Sequence, residues 1–372
     1  MLLYERQIEE IIEGAVARIA SELRGPGGDT AANTGATTAA GRIAGPAGVS
    51  TDIPTAGQTA ASAGTGDAGL FDSVEEALSA SAEAARACAE LSIADRRRII
   101  GSLRNAVLNN LEEISRLAVE ETGMGRVEDK ILKNRLAALK TPGVEDLKPD
   151  AVSGDDGLTL EELAPYGVIC SIIPSTNPTE TIISNGIGMF AAGNSVIFNP
   201  HPGAKRTSLR MIELFAAAVE KNGGPPNAFV SVREPSIETA TELMYHPTVD
   251  LLVVTGAEGV VQAAMKTGKK VIGAGPGNPP AVVDETADLP KAARDIVSGA
   301  SMDNNIICVD EKVTVVVEKA AAELVREMEK AGGYVASANQ VRLLENTLYD
   351  GPPPANTHTQ PIRRFIGKDA AV

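Results

Sequence analysis

The sequence predicts an α/β protein built on a parallel sheet covered on both faces. Three observations carry that expectation. From Tyr166 onward, short apolar runs alternate with helical patterns, and the runs are nearly continuous rather than alternating with polar residues, as in strands buried from both sides. The 372 residues are 43% hydrophobic, enough for a large core and, by length, two or three domains. Third, the turn-forming residues Gly, Pro, Ser, Thr and Asn cluster after several of the runs, at the strand ends where such sheets bind ligands. The strands are expected at 168–173, 195–198, 229–232, 251–254, 271–272 and 281–283. The intervening helices are expected at 179–191, 204–221, 236–245 and 257–266.

Taken from the start, residues 1–24 have an amphipathic helical pattern. Ile8, Ile11, Ile12, Ala15, Val16, Ile19 and Leu23 recur at three- and four-residue spacing, with Glu9, Glu10, Glu13, Arg18 and Glu22 on the other face. Residues 25–69 are dominated by Gly, Ala, Thr, Ser and Pro, with Ile43, Val49 and Ile53 as the large apolar side chains. That composition predicts a flexible linker. The first segment reads either as a docking peptide or as a helix that packs on its own domain. Order is expected from about Phe71. Ser73 and Ser92 precede helical patterns, and Ser92 with Asp95 makes a capping signal. Ile99, Leu103, Val107, Leu111, Ile114 and Ala118 then predict one long helix ending at Gly123. A further helix is expected over 127–139, stopped by Pro142, and an antiparallel hairpin around 150–164 outside the main sheet. That hairpin is a candidate oligomer contact. After Val317 come a helix over 320–331, a second short helix and a Pro-rich loop at 351–354.

The net charge of −15 argues against nucleic acid as a partner, which draws on concentrated Lys and Arg. No apolar run approaches the roughly 18 residues of a membrane span, and Glu5, Glu9 and Glu10 make the start unlike a secretory signal. Cys88, Cys170 and Cys308 lie far apart, with no CxxC and no His pair. Neither a disulfide framework nor a metal site is indicated, and a reducing cytoplasm fits best.

Cys308 sits in SMDNNIICVDEK, beside Asn304 and Asn305 and just before the apolar run VTVVV. On this stretch alone it is either a small core hydrophobe or a nucleophile placed where a loop feeds a strand. Four loops upstream bear on the choice: PSTNPTET (174–181), NPHPGAK (199–205), TGAEG (255–259) and GAGPGNPP (273–280). In that order, followed by Cys308, they resemble the aldehyde dehydrogenase superfamily, specifically its coenzyme-A-acylating branch from bacterial microcompartments, the propionaldehyde and acetaldehyde dehydrogenase type. The resemblance runs from about Phe71 to the end of the chain.

It implies a Rossmann-like parallel-sheet domain for NAD over 70–280 and part of an α/β catalytic domain over 281–372, cut short by the end of the chain. Cys308 would be the nucleophile, and Asn177 a donor to the oxyanion formed when the thiolate adds to an aldehyde. The bland alternative for Asn177 is a turn residue before Pro178. Ser175, Thr176, Thr255, Gly256, Ala257 and Gly275 fall where the cofactor would lie, with small residues letting its pyrophosphate approach backbone N–H groups. Asn199 stands where many relatives have a ribose-binding lysine, so His201 becomes a candidate contact or simply a solvated loop residue. Lys205 and Arg206 leave NADP open.

Gly273 occupies the position of the glutamate base in water-using relatives. A thiol needs less help than water to attack a thioester, so coenzyme A is the expected acceptor, and a short aliphatic aldehyde such as propanal or acetaldehyde the substrate. The alternatives are a hydrolytic dehydrogenase and an inactive, truncated paralogue with a packing role. Residues 1–24 resemble encapsulation peptides, which points to shell or cargo proteins of a microcompartment as partners. The intact protein is expected to be a homo-oligomer.

Overall fold

The computed structural model describes residues 69–349 and 361–369. The expected N-terminal helix over 1–24, nearly all of the expected linker and the Pro-rich loop at 351–354 lie outside the described residues.

Helices α1 (Val74–Glu90) and α2 (Ile93–Asn109) both begin at serine caps, Ser73 accepting from the Glu76 N–H and Ser92 from that of Asp95. Capping of this kind satisfies an amide that the first turn leaves without a partner. The single long helix expected over this region is two. Asn110, at φ −122° and ψ 16°, ends α2 and precedes α3 (Leu111–Thr122), and its side chain donates to the Ala106 carbonyl at 2.7 Å. An asparagine that engages nearby backbone in this way competes with helix continuation. α3 ends at Gly123, whose φ of 66° is the left-handed conformation that glycine adopts without cost. α4 (Val127–Lys140) follows.

The main sheet, among the described residues, has six parallel strands. These are β1 (Leu70–Phe71), β4 (Val168–Ile173), β5 (Ser195–Pro200), β6 (Phe229–Val232), β7 (Leu251–Thr255) and β8 (Val271–Ala274), in the order β1-β6-β5-β4-β7-β8. β1 is a strand that the sequence pattern does not reveal. The helices between the strands are α5 (Pro178–Ala191), α6 (Lys205–Lys221), α7 (Ile237–Tyr245) and α8 (Glu258–Met265). β2 (Asp150–Gly154) and β3 (Gly157–Glu161) form the expected antiparallel hairpin.

Two apolar layers flank the sheet, because successive strand residues point to opposite faces. Val196, Phe198 and Phe229 meet α2, α3, α5 and α6 on one face; Cys170, Ile197, Val230 and Val232 meet α1 and α7 on the other. Phe229 anchors the first layer, its ring centroid 5.6 Å from that of Phe190 and 5.3 Å from that of Phe215. The expected strand at 281–283 does not join this sheet. It is β9 (Pro280–Val283), paired in parallel with β10 (Val313–Val316) and connected to it through α9 (Leu289–Ser301). α10 (Glu318–Lys330) packs on α9 around Ala293, Ile296 and Leu324, and α11 (Ala338–Leu348) follows. Among the described residues no helix is long and apolar enough to cross a membrane.

Candidate active site

The chain leaves β4 toward β5 and β6 on one side, then returns to place β7 and β8 on the other. This reversal opens a crevice beyond the C-terminal ends of β4 and β7, the place where open α/β sheets bind ligands. A cavity of about 1150 Å³ occupies it, and all ten site residues expected from the sequence line its wall. Ser175, Thr176 and Asn177 come from the loop after β4, Asn199 and His201 from the end of β5, Thr255, Gly256 and Ala257 from the loop after β7. Gly275 follows β8, and Cys308 arrives from the turn before β10.

The three cysteines differ in kind. Cys88 and Cys170 are fully buried, and burial pushes each thiol up to about 12. Cys308 is half-buried on the cavity wall. Its position is set by an unusual backbone: Asp303, Asn304 and Asn305 have φ of 48°, 56° and 57°. L-residues enter this left-handed region at a cost of roughly 1–2 kcal/mol each, and Asn and Asp are the types that tolerate it best. The side chains of the same residues hold the strained turn. Asn304 donates to the Gly367 carbonyl at 2.9 Å, Asn305 donates to the Ala300 carbonyl at 2.7 Å, and the Lys312 ammonium donates to Asn305 Oδ1 at 2.7 Å. Gly277 backs directly onto Cys308, with no space for a Cβ.

Asn177 ends the β4 loop and precedes Pro178 at the first position of α5. Its Oδ1 accepts from the Lys133 ammonium at 2.6 Å, and its Nδ2 donates to Thr176 Oγ1 at 3.2 Å. Lys133 belongs to a buried charged cluster that the sequence reading missed. The Lys130 ammonium lies 3.1 Å from Asp303 Oδ2 with both side chains fully buried, and Lys133 pairs with the same carboxylate and, at 3.2 Å, with Glu180. The Arg126 N–H also donates to Asp303, at 2.8 Å. Burial works against the Asp303 carboxylate, but Lys133 and Lys130 outweigh it and hold its pKa below the ordinary range. Burial likewise opposes the Lys133 ammonium, and Glu180 and Asp303 outweigh it, so that lysine sits above its usual value.

α4 thereby turns Lys130 and Lys133 inward and leaves Leu132, Leu136 and Leu139 more than half exposed. No pattern within the helix signals this, because the partner carboxylates lie far away in sequence. Asp310 was also missed. It is 6% exposed, lines the cavity two residues after Cys308, and its Oδ2 has no hydrogen-bond partner. Burial raises its pKa to about 6.

The remaining site residues are arranged as follows. The Asn199 amide is committed to α7, its Oδ1 accepting from Thr239 Oγ1 at 2.8 Å. His201 Nδ1 accepts from the Gly203 N–H at 3.0 Å, and partial burial, then nearby Arg363, keeps the imidazole below its usual pKa. Lys205 is paired with Glu234 at 2.7 Å. Gly256, Gly259 and Gly275 border open space. Gly273 packs against Val261, where a Cβ would come within 2.7 Å of a methyl group. A side chain at 273 would therefore meet α8. Among the described residues no group of three or more His, Cys, Asp or Glu side chains is placed to hold a metal ion.

Comparison with known proteins bears on this arrangement. The aldehyde dehydrogenase family model matches residues 50–346, starting earlier than the Phe71 expected from the motifs and reaching into the expected linker. The acetylating acetaldehyde dehydrogenase EutE of Salmonella typhimurium is 50% identical over 303 residues, covering 81% of this chain and 64% of that protein. The CoA-propanoylating propanal dehydrogenase of the same organism is 48% identical over 269 residues, 72% of this chain and 58% of the relative. This chain thus spans a little under two thirds of the length of these relatives.

Among solved structures, a propionaldehyde dehydrogenase from the Clostridium phytofermentans fucose utilisation microcompartment superposes with a TM-score of 0.75 at 45% identity, covering 81% of this chain and 68% of that one. The Rhodopseudomonas palustris propionaldehyde dehydrogenase with bound CoA and an acylated cysteine gives 0.75 at 47% identity, with 82% and 68% covered. The parallel sheet, the cavity at its switch point and a match over most of the sequence lead to one conclusion: the chain belongs to the aldehyde dehydrogenase family.

Proposed function

We propose that the protein is a CoA-acylating aldehyde dehydrogenase, converting a short aliphatic aldehyde, NAD and coenzyme A to an acyl-CoA and NADH. The observation that carries this reading is the half-buried Cys308 sharing one cavity with the Asn177 amide at the sheet's switch point. The names of the relatives, acetylating and CoA-propanoylating dehydrogenases, support the acceptor and the size of the aldehyde.

The crevice suits a dinucleotide. Its volume exceeds the roughly 300–1,000 Å³ usual for small-molecule sites, and the open space at Gly256, Gly259 and Gly275 lets a ligand approach the backbone. Ser175, Thr176, Thr255, Gly256, Ala257 and Gly275 would hold NAD, with the N-terminus of α8 presenting N–H groups to its phosphates. Asn199 would shape the wall by fixing α7, with His201 beside it at the rim; NADP stays compatible with this wall. When bound, the nicotinamide supplies the acceptor for a hydride.

Cys308, as thiolate, attacks the aldehyde carbon; a C–S bond forms and the carbonyl electron pair moves to oxygen. The Asn177 Nδ2–H and the backbone N–H of Cys308 donate to that oxyanion. As the carbonyl re-forms and hydride departs, Cys308 retains the acyl group as a thioester. Coenzyme A, its thiol proton lost to solvent, then attacks as the thiolate; the new C–S bond forms, the bond to the Cys308 sulfur breaks, and Cys308 leaves as thiolate, free for the next turn.

Incubating the protein with propanal and NAD, with and without coenzyme A, tests the reading. Sustained NADH formation is expected only with coenzyme A present, and Cys308→Ala should abolish it while leaving NAD binding intact. A hydrolytic reading has one observation in its favour, the Asp310 carboxylate on the cavity wall, whose Oδ2 has no hydrogen-bond partner. Steady release of free carboxylic acid without coenzyme A would decide for it.

The apolar stripe of residues 1–24 supports docking to a microcompartment shell or cargo protein, which would confine the enzyme inside a cytoplasmic microcompartment with its aldehyde. Fused to a fluorescent protein, this segment should form puncta in cells that make the shell. The hairpin β2–β3 exposes Val152, Leu158 and Leu160, which favours an oligomer contact between copies.

A further inference from the structure

We propose that Lys133 is a positioning residue that fixes which end of the Asn177 amide faces the reacting carbonyl, and that it ties this amide to the segment carrying Cys308. The inference rests on the oxyanion role proposed above for Asn177.

The two ends of an asparagine amide are nearly equal in size, so packing alone discriminates poorly between its orientations. Chemistry does. A lysine ammonium is a donor with no acceptor capacity, so the amide group facing it must be the carbonyl oxygen. Lys133 Nζ lies 2.6 Å from Asn177 Oδ1. Nδ2 is thereby turned the other way, where one of its two protons goes to Thr176 Oγ1 at 3.2 Å. The second proton remains for an oxyanion. A flipped amide would face the ammonium with its own donors and offer the substrate oxygen a lone pair instead.

The ammonium is itself held. Lys133 is 6% exposed and pairs with Asp303 and Glu180. Asp303 is fixed in turn by Lys130 and by the Arg126 N–H. Two lysines and two carboxylates leave the cluster neutral. Buried pairs of this kind contribute little net stability over apolar packing, so α4 gains little as scaffold by turning Lys130 and Lys133 inward while Leu132 and Leu139 are exposed and Leu136 borders the cavity. What the arrangement does secure is orientation. Asp303 opens the left-handed turn that leads to Cys308, and Asn177 closes the β4 loop. Lys133 touches both, so one ammonium sets the nucleophile's segment and the oxyanion donor relative to each other.

The test needs neither NAD nor coenzyme A. Acylation of Cys308 by p-nitrophenyl acetate, followed as the burst of p-nitrophenolate, passes through a tetrahedral oxyanion. Alkylation of the same thiol by iodoacetamide does not. Asn177→Ala should slow acylation by about 10² to 10³-fold, the cost of one oxyanion donor, and leave alkylation within about twofold. Lys133→Met should slow acylation by about 10 to 10²-fold, also with alkylation unchanged, and adding it to Asn177→Ala should cause no further loss.

Lys133→Arg keeps a donor-only cation and the charge balance, so it should acylate much nearer the wild-type rate. It also serves where the Met variant does not fold. The inference is overturned if Lys133→Met acylates like wild type, if its effect is undiminished in the Asn177→Ala background, or if folded Lys133→Arg is as slow as Asn177→Ala. An unchanged acylation rate in Asn177→Ala itself would instead remove the oxyanion reading beneath it.

Discussion

A single methyl group at position 277 should disable Cys308 without touching any reacting group. Gly277 does not adopt positive φ, so alanine suits its backbone; the obstacle is space. A Cβ built there overlaps the Cys308 carbonyl oxygen, and it lies 3.1 Å from the carbonyl carbon and 3.5 Å from Cys308 Cβ. Relief requires the turn carrying Cys308 to retreat by about 1 Å, and a displacement of that size in a reacting group costs on the order of 10²-fold in rate. Gly277→Ala should therefore slow both turnover and acylation of Cys308 by an activated ester about 10²-fold. Gly275→Ala is the control: two residues away in the same loop, it borders open space and should leave acylation unchanged. A Gly277→Ala protein that acylates within about threefold of wild type would mean that the glycine loop yields instead of the cysteine turn, and the steric argument would fail.

Two buried carboxylates make predictions of opposite sign with pH. Burial raises Asp310 to about 6, so between the ordinary aspartate value and 6 the native state holds a proton that the unfolded chain releases, and stability falls as pH rises through that window. Asp310→Asn should therefore stabilise the protein by about 1–2 kcal/mol at pH 7, allowing for solvent screening, and by little at pH 4. Urea unfolding at the two pH values checks this; an equal gain at both would refute it. Asp303 is held below its ordinary pKa, so its contribution is present above the normal aspartate range and is lost as pH falls through its lowered value. Asp303→Asn should cost about 3–5 kcal/mol at pH 7, since it leaves two buried ammonium groups against Glu180 alone, and should flatten the acid limb of stability against pH.

The sheet was legible because its strands are buried on both faces, which writes them into the sequence as apolar runs such as VICSII at β4. Where that physics was absent, the reading failed. β1 is two residues long and is defined by its pairing with β6, so no local period could reveal it. The break at Asn110 was hidden for a different reason. Val107, Leu111 and Ile114 keep helical spacing across it, so the apolar stripe runs through a junction that only the backbone of one residue interrupts. β9 shares the apolar character of the main strands, and its membership of another sheet depends on β10, beyond a whole intervening helix.

The site divides along the same line. The loop residues, Cys308 and Asn177 above all, were reached through the resemblance that the set of loop motifs carries, and the cavity gathers every one of them. The residues that orient them were not. Lys130 and Lys133 in EDKILKN have the look of a helix's wet face, yet in the fold both are buried while Leu132 and Leu139 are exposed. A lysine's burial is decided by whether a carboxylate awaits it, and here that carboxylate is Asp303, presented by a left-handed turn that nothing within α4 encodes. Motifs thus point to the side chains proposed to react, because reactivity is a property of a side chain. The groups that aim those side chains are defined by contacts between distant segments, and they surface only when the fold brings α4, the β4 loop and the Cys308 turn to one point.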